Sequence, residues 1–388
     1  MAHKKRRIQV VIILIIFVVY FLVAARPVPK EIVLVPKWIS SLPTVTLSDN
    51  AVIEGEESGI VPVNVSGQLL PFTLGSSFGY IDSSGQFAIN RLKKDDIYLS
   101  RNMWTEYGPE PANIAINNLL ENSVINIENA RGYPILLDNR VFILGSEQNS
   151  LSEIDKSGNV KWTYEFGAPL TSIDANAGLV LTGSLDGIVE VFDSEGRRIF
   201  YFEPGGSKYS VILGCAISRN GSRIGIICGI DKQRFLLFER FGSTGGEYRI
   251  VYHEFLETGF RRPVRILFVD EDQRIVFERE NGIGCYSIKS RRGMYIPLDG
   301  EIAAIDESGE KGFFFLVTSA AQGKNLVGIK FPPDRLFGLS GTAAKDTVFM
   351  KAPFKSDDVF LGRQSSGSGS MLVTGGGTTL ISFSLEEN

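Results

Sequence analysis

Residues 132–166, GYPILLDNRVFILGSEQNSLSEIDKSGNVKWTYEF, and residues 169–202, PLTSIDANAGLVLTGSLDGIVEVFDSEGRRIFYF, follow one pattern. Each reads as a strand, a turn, a strand ending in Gly-Ser, a turn, a strand ending in Asp, an x-x-Gly turn and a last strand. Four short strands repeated at a period of about 36 to 50 residues cannot bury their faces alone and must stack on their neighbours, which is how a propeller blade is built. The tight turns have a local cause. Asp hydrogen-bonds the amides ahead of it, and Gly accepts the positive φ that a short hairpin demands.

Less regular units follow at 210–255, 263–298 and 300–340. Asp82, Asp155 and Asp193 mark turns between third and fourth strands, whereas Asp306 falls between a first and a second strand, beside Asp174, Asn220 and Asp270. Earlier, residues 69–92 repeat the Gly-Ser and Ile-Asp-x-x-Gly elements with a shorter third strand, while 97–130 fit a blade poorly and admit strands or a short helix. Residues 370–385 supply a hairpin after which a strand from the N-terminal side is needed to close the ring and cover its edges. The 41 glycines and 26 phenylalanines suit strands and tight turns. The expected fold is an all-β propeller of seven or eight four-stranded antiparallel blades over residues 59–388, preceded by one transmembrane helix.

The stretch NRVFILGSEQNSLSEIDKSGNVKWTYEFG carries Gly145, Ser146, Asp155, Gly158 and Trp162, and the next unit carries Gly183, Ser184, Asp186, Gly187, Asp193 and Gly196. These repeats resemble those of the pyrroloquinoline-quinone-like propeller families, and AISRNGSRIGII is similar to a WD40-like unit. The resemblance is close over about 75 residues and weaker over the remaining body. It extends to a non-catalytic propeller subunit of outer-membrane assembly, although no lipobox cysteine is present. Quinoprotein enzymes with such repeats need a calcium site and acidic residues near the channel. The sequence has no such constellation, so no cofactor, metal or catalytic residue is expected.

Before the body, Lys4, Lys5, Arg6 and Arg7 precede an apolar run from Ile8 to Ala25. Eighteen helical residues rise about 27 Å, enough to cross a bilayer core of about 30 Å with snorkelling ends. The basic cluster would stay cytoplasmic and send the body outward. Residues 1–7 therefore read as a cytoplasmic tail, 8–25 as a signal-anchor in the inner membrane, and 26–58 as a proline-rich stalk that can lend one strand to the body. A cleavable signal peptide is the competing reading, since Val-Ala-Ala before Arg26 suits a cut, but the apolar run exceeds a usual signal core.

Net charge is −4, and beyond residue 30 the chain holds 34 basic against 44 acidic residues. That balance is wrong for nucleic acid, which needs a basic face. Cys215, Cys228 and Cys285 lack metal-site spacing and read as buried thiols, and His3 and His253 are too few for a histidine triad or metal centre. The GSGSMLVTGGG stretch has no Lys-Ser or Lys-Thr after it, so it is a hairpin connection rather than a phosphate loop. The Asp turns lack the alternating ligands of a calcium loop.

One basic group stands out as a candidate partner site. Arg261, Arg262 and Arg265 precede the first strand of a unit, and Arg291 and Arg292 lie in its third-to-fourth-strand turn. Convergence of these five on one rim would suit an acidic protein or an anionic glycan. The sequence thus points to a membrane-tethered, non-enzymatic propeller in the periplasm or outside the cell, offering its faces to other envelope or membrane proteins. A glycan-binding or glycan-cleaving propeller is the alternative, marked by five or six channel carboxylates; an apolar or filled channel would favour the scaffold.

Overall fold

The computed structural model describes residues 13–20, 31–42, 69–242, 247–257, 259–307, 311–339, 347–366 and 369–387. The chain forms two compact units, residues 36–384 and a small one of residues 1–35 with 385–388. In the small unit, residues 13–20 are α-helical, with their apolar side chains exposed. Among the described residues no helix is long and apolar enough to cross a membrane. Residues 8–12 and 21–25 of the expected span lie outside the described ones.

The large unit carries an eight-bladed propeller. Among the described residues, seven sheets have four antiparallel strands and one has three. We number the blades along the chain as residues 70–92 (three strands), 96–127, 132–165, 170–202, 212–255, 266–297, 301–354 and 359–387. Blade 8 takes its fourth strand from Ile32–Ser41, which lies beside Thr379–Glu387 at the sheet's outer edge. The proline-rich segment therefore does lend the closing strand.

Burial explains why these sequences form these strands. In blade 4 the third strand, Val189–Phe192, is buried throughout, whereas the outermost, Arg198–Phe202, alternates toward solvent. A strand sandwiched between two neighbouring sheets needs apolar groups on both faces, and an edge strand on one. The apolar clusters accordingly lie between blades. Leu181 and Val191 of blade 4 pack on Ile217 and Ile226 of blade 5, and Leu213 and Phe235 of blade 5 on Val264 and Phe277 of blade 6. Between blades 7 and 8 a buried ion pair is added, Arg363 Nη2 to Asp306 Oδ2 at 2.7 Å.

The Asp-x-x-Gly turns have one design. Asp155 Oδ1 accepts the amides of Ser157 and Asn159, and Asp193 Oδ1 those of Glu195 and Arg197. Asp82 does the same for Ser84 and Gln86, between the second and third described strands of blade 1. Each turn's glycine seats on the outermost strand of the preceding blade. A Cβ at Gly196 would lie 2.5 Å from the Trp162 ring, and one at Gly85 would lie 2.7 Å from that of Trp38. Trp38 Nε1 also donates to the Ser83 carbonyl at 3.1 Å.

Several expectations need correction. Residues 97–130 belong to a complete blade of strands Asp96–Leu99, Met103–Tyr107, Ile114–Asn118 and Ser123–Ile127, without a helix. The fourth strand of blade 7 is Val348–Phe354, beyond the unit ending at 340. Val359–Ser366 precedes the C-terminal hairpin as a further strand. Asp174 sits within the first strand of blade 4 rather than in a turn, whereas Asp306 does stand in the connection between the first and second strands of blade 7, where it also forms a buried ion pair.

Candidate functional site

The first strands of blades 2 to 7, with the residues just after them, line one cavity of about 730 Å³. A second, of about 350 Å³, shares Arg101, Ile305 and Glu307 with it and extends the lining to blades 1 and 8. Together they form the central channel. The ionisable lining residues of the larger cavity are Arg101, Asp174, Arg219, Arg265, Asp272 and Glu307, contributed by blades 2, 4, 5, 6 and 7.

Each carboxylate is held differently. Asp174 Oδ2 accepts the Ile217 amide of blade 5 at 2.8 Å, and Oδ1 accepts the Ala175 amide at 2.8 Å. Burial nevertheless pushes its carboxyl up to about 6, with the charges of Glu307 and Asp138 adding to the effect. Glu307 is raised mainly by burial, against the opposing pull of the Arg265 guanidinium. Asp272 is 8% exposed; its Oδ2 accepts the Arg219 amide at 2.9 Å, while its buried Oδ1 has no hydrogen-bond partner. Tyr98, on the first strand of blade 2, is pushed up to about 12 by burial and by Glu307, Tyr107 and Asp174.

This lining meets neither of the two expectations, being neither apolar nor a ring of five or six acids. Three carboxylates share it with three guanidiniums. Cys215 also lines the cavity; burial pushes its thiol up to about 12, against the lowering effect of the hydrogen bond to Ser172 Oγ at 3.2 Å, which favours the protonated thiol. All three cysteines are buried and free. His253 is an exposed residue of the outermost strand of blade 5. Among the described residues no group of three or more His, Cys, Asp or Glu could hold a metal ion.

The five arginines do not converge. In blade 6, Val269 pairs with Arg274, Arg274 with Ser287 and Ser287 with Arg292, so Arg291 and Arg292 sit at the end where the first strand finishes. Arg261, Arg262 and Arg265 lie at the opposite end, where that strand begins. The reason is parity. Two reversals of direction return the third strand to the orientation of the first, so its exit lies a strand's length from the first strand's entry. Arg262 is further engaged by Glu278 at 2.6 Å, and Arg265 Nη1 donates to the Ile302 carbonyl at 2.8 Å inside the ring.

Channel residues such as Arg101, Arg219 and Glu307 escaped sequence reasoning because no spacing links them. The signal that would have found them is positional, since each follows the first strand of its repeat by a few residues.

An eight-sheet ring with a polar channel defines the class, and the chain belongs to the beta-propeller protein family, whose family model matches residues 1–368. A relative described as an uncharacterized protein of Treponema pallidum (strain Nichols) is 26% identical over 288 residues, 74% of each chain. Two similar solved structures are the computationally designed Ika8 protein, with TM-score 0.54, 11% identity and coverage of 82% of this chain and 96% of that one, and BamB from Moraxella catarrhalis, with TM-score 0.52, 10% identity and coverage of 90% and 99%. At these identities the likeness is one of fold.

Proposed function

We propose that this protein is a non-catalytic docking platform for other envelope or membrane proteins, held at the cytoplasmic membrane by residues 8–25 with its propeller in the periplasm or outside the cell. The observation that carries this reading is the apolar character of two neighbouring outer strands. Ile199 and Tyr201 on blade 4, and Ile250, Val251 and Phe255 on blade 5, are exposed by 37% to 54%. Outward apolar side chains on a rigid ring suit protein contact. The likeness in fold to BamB supports the same reading, which includes a role in envelope protein assembly.

The test is a crosslinked pull-down of the full-length chain from its own membranes, read by mass spectrometry and repeated with Tyr201→Ser and Phe255→Ser. Stoichiometric recovery of envelope proteins by the wild type, lost in the variants, is the expected result. Recovery of the chain alone from wild-type membranes would overturn the reading.

A further inference from the structure

Residues 331–339, which follow the third strand of blade 7, lie against blade 6, and a buried cation pins them there. Arg274 of blade 6 lies over the rings of Phe331 and Phe337, 5.0 and 5.5 Å from their centroids, and its Nη2 donates to the Pro332 carbonyl at 3.2 Å. Asp334 accepts Ser287 Oγ of blade 6 at 3.0 Å, and a Cβ on Gly338 would stand 2.9 Å from that of Arg292. The segment is thus a fixed strap. Leu336 and Leu339 on it are nevertheless 42% and 41% exposed. A single exposed leucine needs no explanation, but two on a pinned turn beside a group of cations mark a contact surface.

The cations come from both blades. Lys289, Arg291 and Arg292 of blade 6 and Arg335 of the strap are all exposed, and Lys289 Nζ approaches Asp334 Oδ2 at 3.7 Å, which joins the two groups. Asp334 is already engaged by Arg274 and Ser287, and Glu271 is the one exposed acid at this end of blade 6 among the described residues. Chain direction fixes where the patch stands. Both connections follow third strands, so they lie at the end of the ring where first strands finish. The Leu42 amide donates to the Thr378 carbonyl at 2.7 Å, and Thr378 stands between the second and third strands of blade 8, at the other end. The closing strand therefore finishes away from the patch and starts at the patch's own end, so a chain arriving from residues 8–25 enters the ring on the same side as the four cations.

We propose that this patch rests on an anionic lipid surface, with Lys289, Arg291, Arg292 and Arg335 over lipid phosphates and Leu336 and Leu339 entering the headgroup region. Lysine and arginine keep their charged ends among the headgroups while apolar neighbours go deeper, and each such cation strengthens attachment about fivefold. The orientation of the patch rests on the anchored reading of residues 8–25; its charge and its leucines do not. It is separate from the outer strands of blades 4 and 5, so protein docking and lipid contact can fail independently.

The experiment is lysine acetylation, read by mass spectrometry, of the full-length chain in nanodiscs of phosphatidylcholine alone or mixed with phosphatidylglycerol. Lys289, whose side chain is 75% exposed, should react at least about fivefold more slowly in the anionic discs and recover in high salt, while Lys208, at the opposite end of the ring, reacts equally in both. Protection of Lys289 should fall in a variant carrying Arg291→Asn, Arg292→Ser and Arg335→Ser, asparagine being chosen because Arg291 has φ +55°. If that variant fails to fold, Leu336→Ser with Leu339→Ser carries the test. Equal Lys289 rates in the two discs, equal slowing of Lys208, or wild-type protection in a folded variant would each overturn the proposal. A chain that does not enter phosphatidylcholine bilayers would overturn the anchored reading instead. Flotation with anionic vesicles then tests the patch: loss of flotation in the variant supports it, and a wild-type chain that does not float overturns it.

Discussion

Asp174 is a residue whose protonation is coupled to folding. Its folded carboxyl is pushed up to about 6, above the usual value for an unfolded aspartate of about 3.9. Between those two values the folded chain holds a proton that the unfolded chain has released, so the contribution of this group is least favourable above pH 6 and improves as the pH falls toward 4. The swing is on the order of 3 kcal/mol at most. Melting curves from pH 7.5 to 4 should therefore show a smaller acid-side loss in the wild type than in Asp174→Asn, and parallel curves would remove Asp174 as the cause. Arg363 gives a second prediction. Its Nη2 lies 2.7 Å from Asp306 Oδ2, and Asp306 is fully buried, so Arg363→Ala strands a carboxylate between blades 7 and 8. The expected loss is about 3–5 kcal/mol in chemical denaturation, partly recovered in the Arg363→Ala, Asp306→Ala double variant.

Among the elements, the Asp-x-x-Gly hairpin is both a turn and a foot. Gly196 has φ +74° and faces the Trp162 ring, whereas Gly178 has φ +73° and nothing within 4 Å of an added Cβ. Alanine at either site meets the same backbone cost of about 1–2 kcal/mol, but only Gly196→Ala also lifts a blade off its neighbour. Denaturation midpoints should separate the two by about 1–3 kcal/mol, and equal losses would show that the seat contributes nothing. Such turns also decide what could be read from the sequence. Blades 3 and 4 were legible because their strands are apolar and their Asp and Gly stand at fixed places. Blade 2 was not, since its strands run to four or five residues and its third-to-fourth-strand connection, Leu119–Asn122, carries no Asp-x-x-Gly signature. The final strand of blade 7 was hidden by an intervening loop in which Phe337, fully buried, resembles a strand residue. The arginine cluster misled for a different cause. Its two halves are separated by three strands, and an odd number of strands carries the chain to the opposite end of the sheet.

For the whole molecule, closure depends on a strand donated from far away in the chain. Ile32–Ser41 completes blade 8, and Trp38 and Ser40 receive the first Asp-x-x-Gly turn. A chain starting at residue 43 should lose roughly 10 °C or more in melting temperature, or aggregate through the exposed edge of Thr379–Glu387, whereas one starting at residue 31 should keep its fold. Unchanged melting of the shorter chain would remove the closing role. The repeat was visible in the primary structure, but the channel was not, because its ionisable residues come from five blades and meet only after the ring has closed.

Because the apolar clusters lie between sheets and each foot needs a seat on the sheet before it, no single repeat contains its own means of staying folded. Lineages built this way change size by integers. A half repeat gained or lost leaves a foot without a seat, while a whole repeat brings both, so insertion and deletion are tolerated by the count of blades and resisted within any one of them.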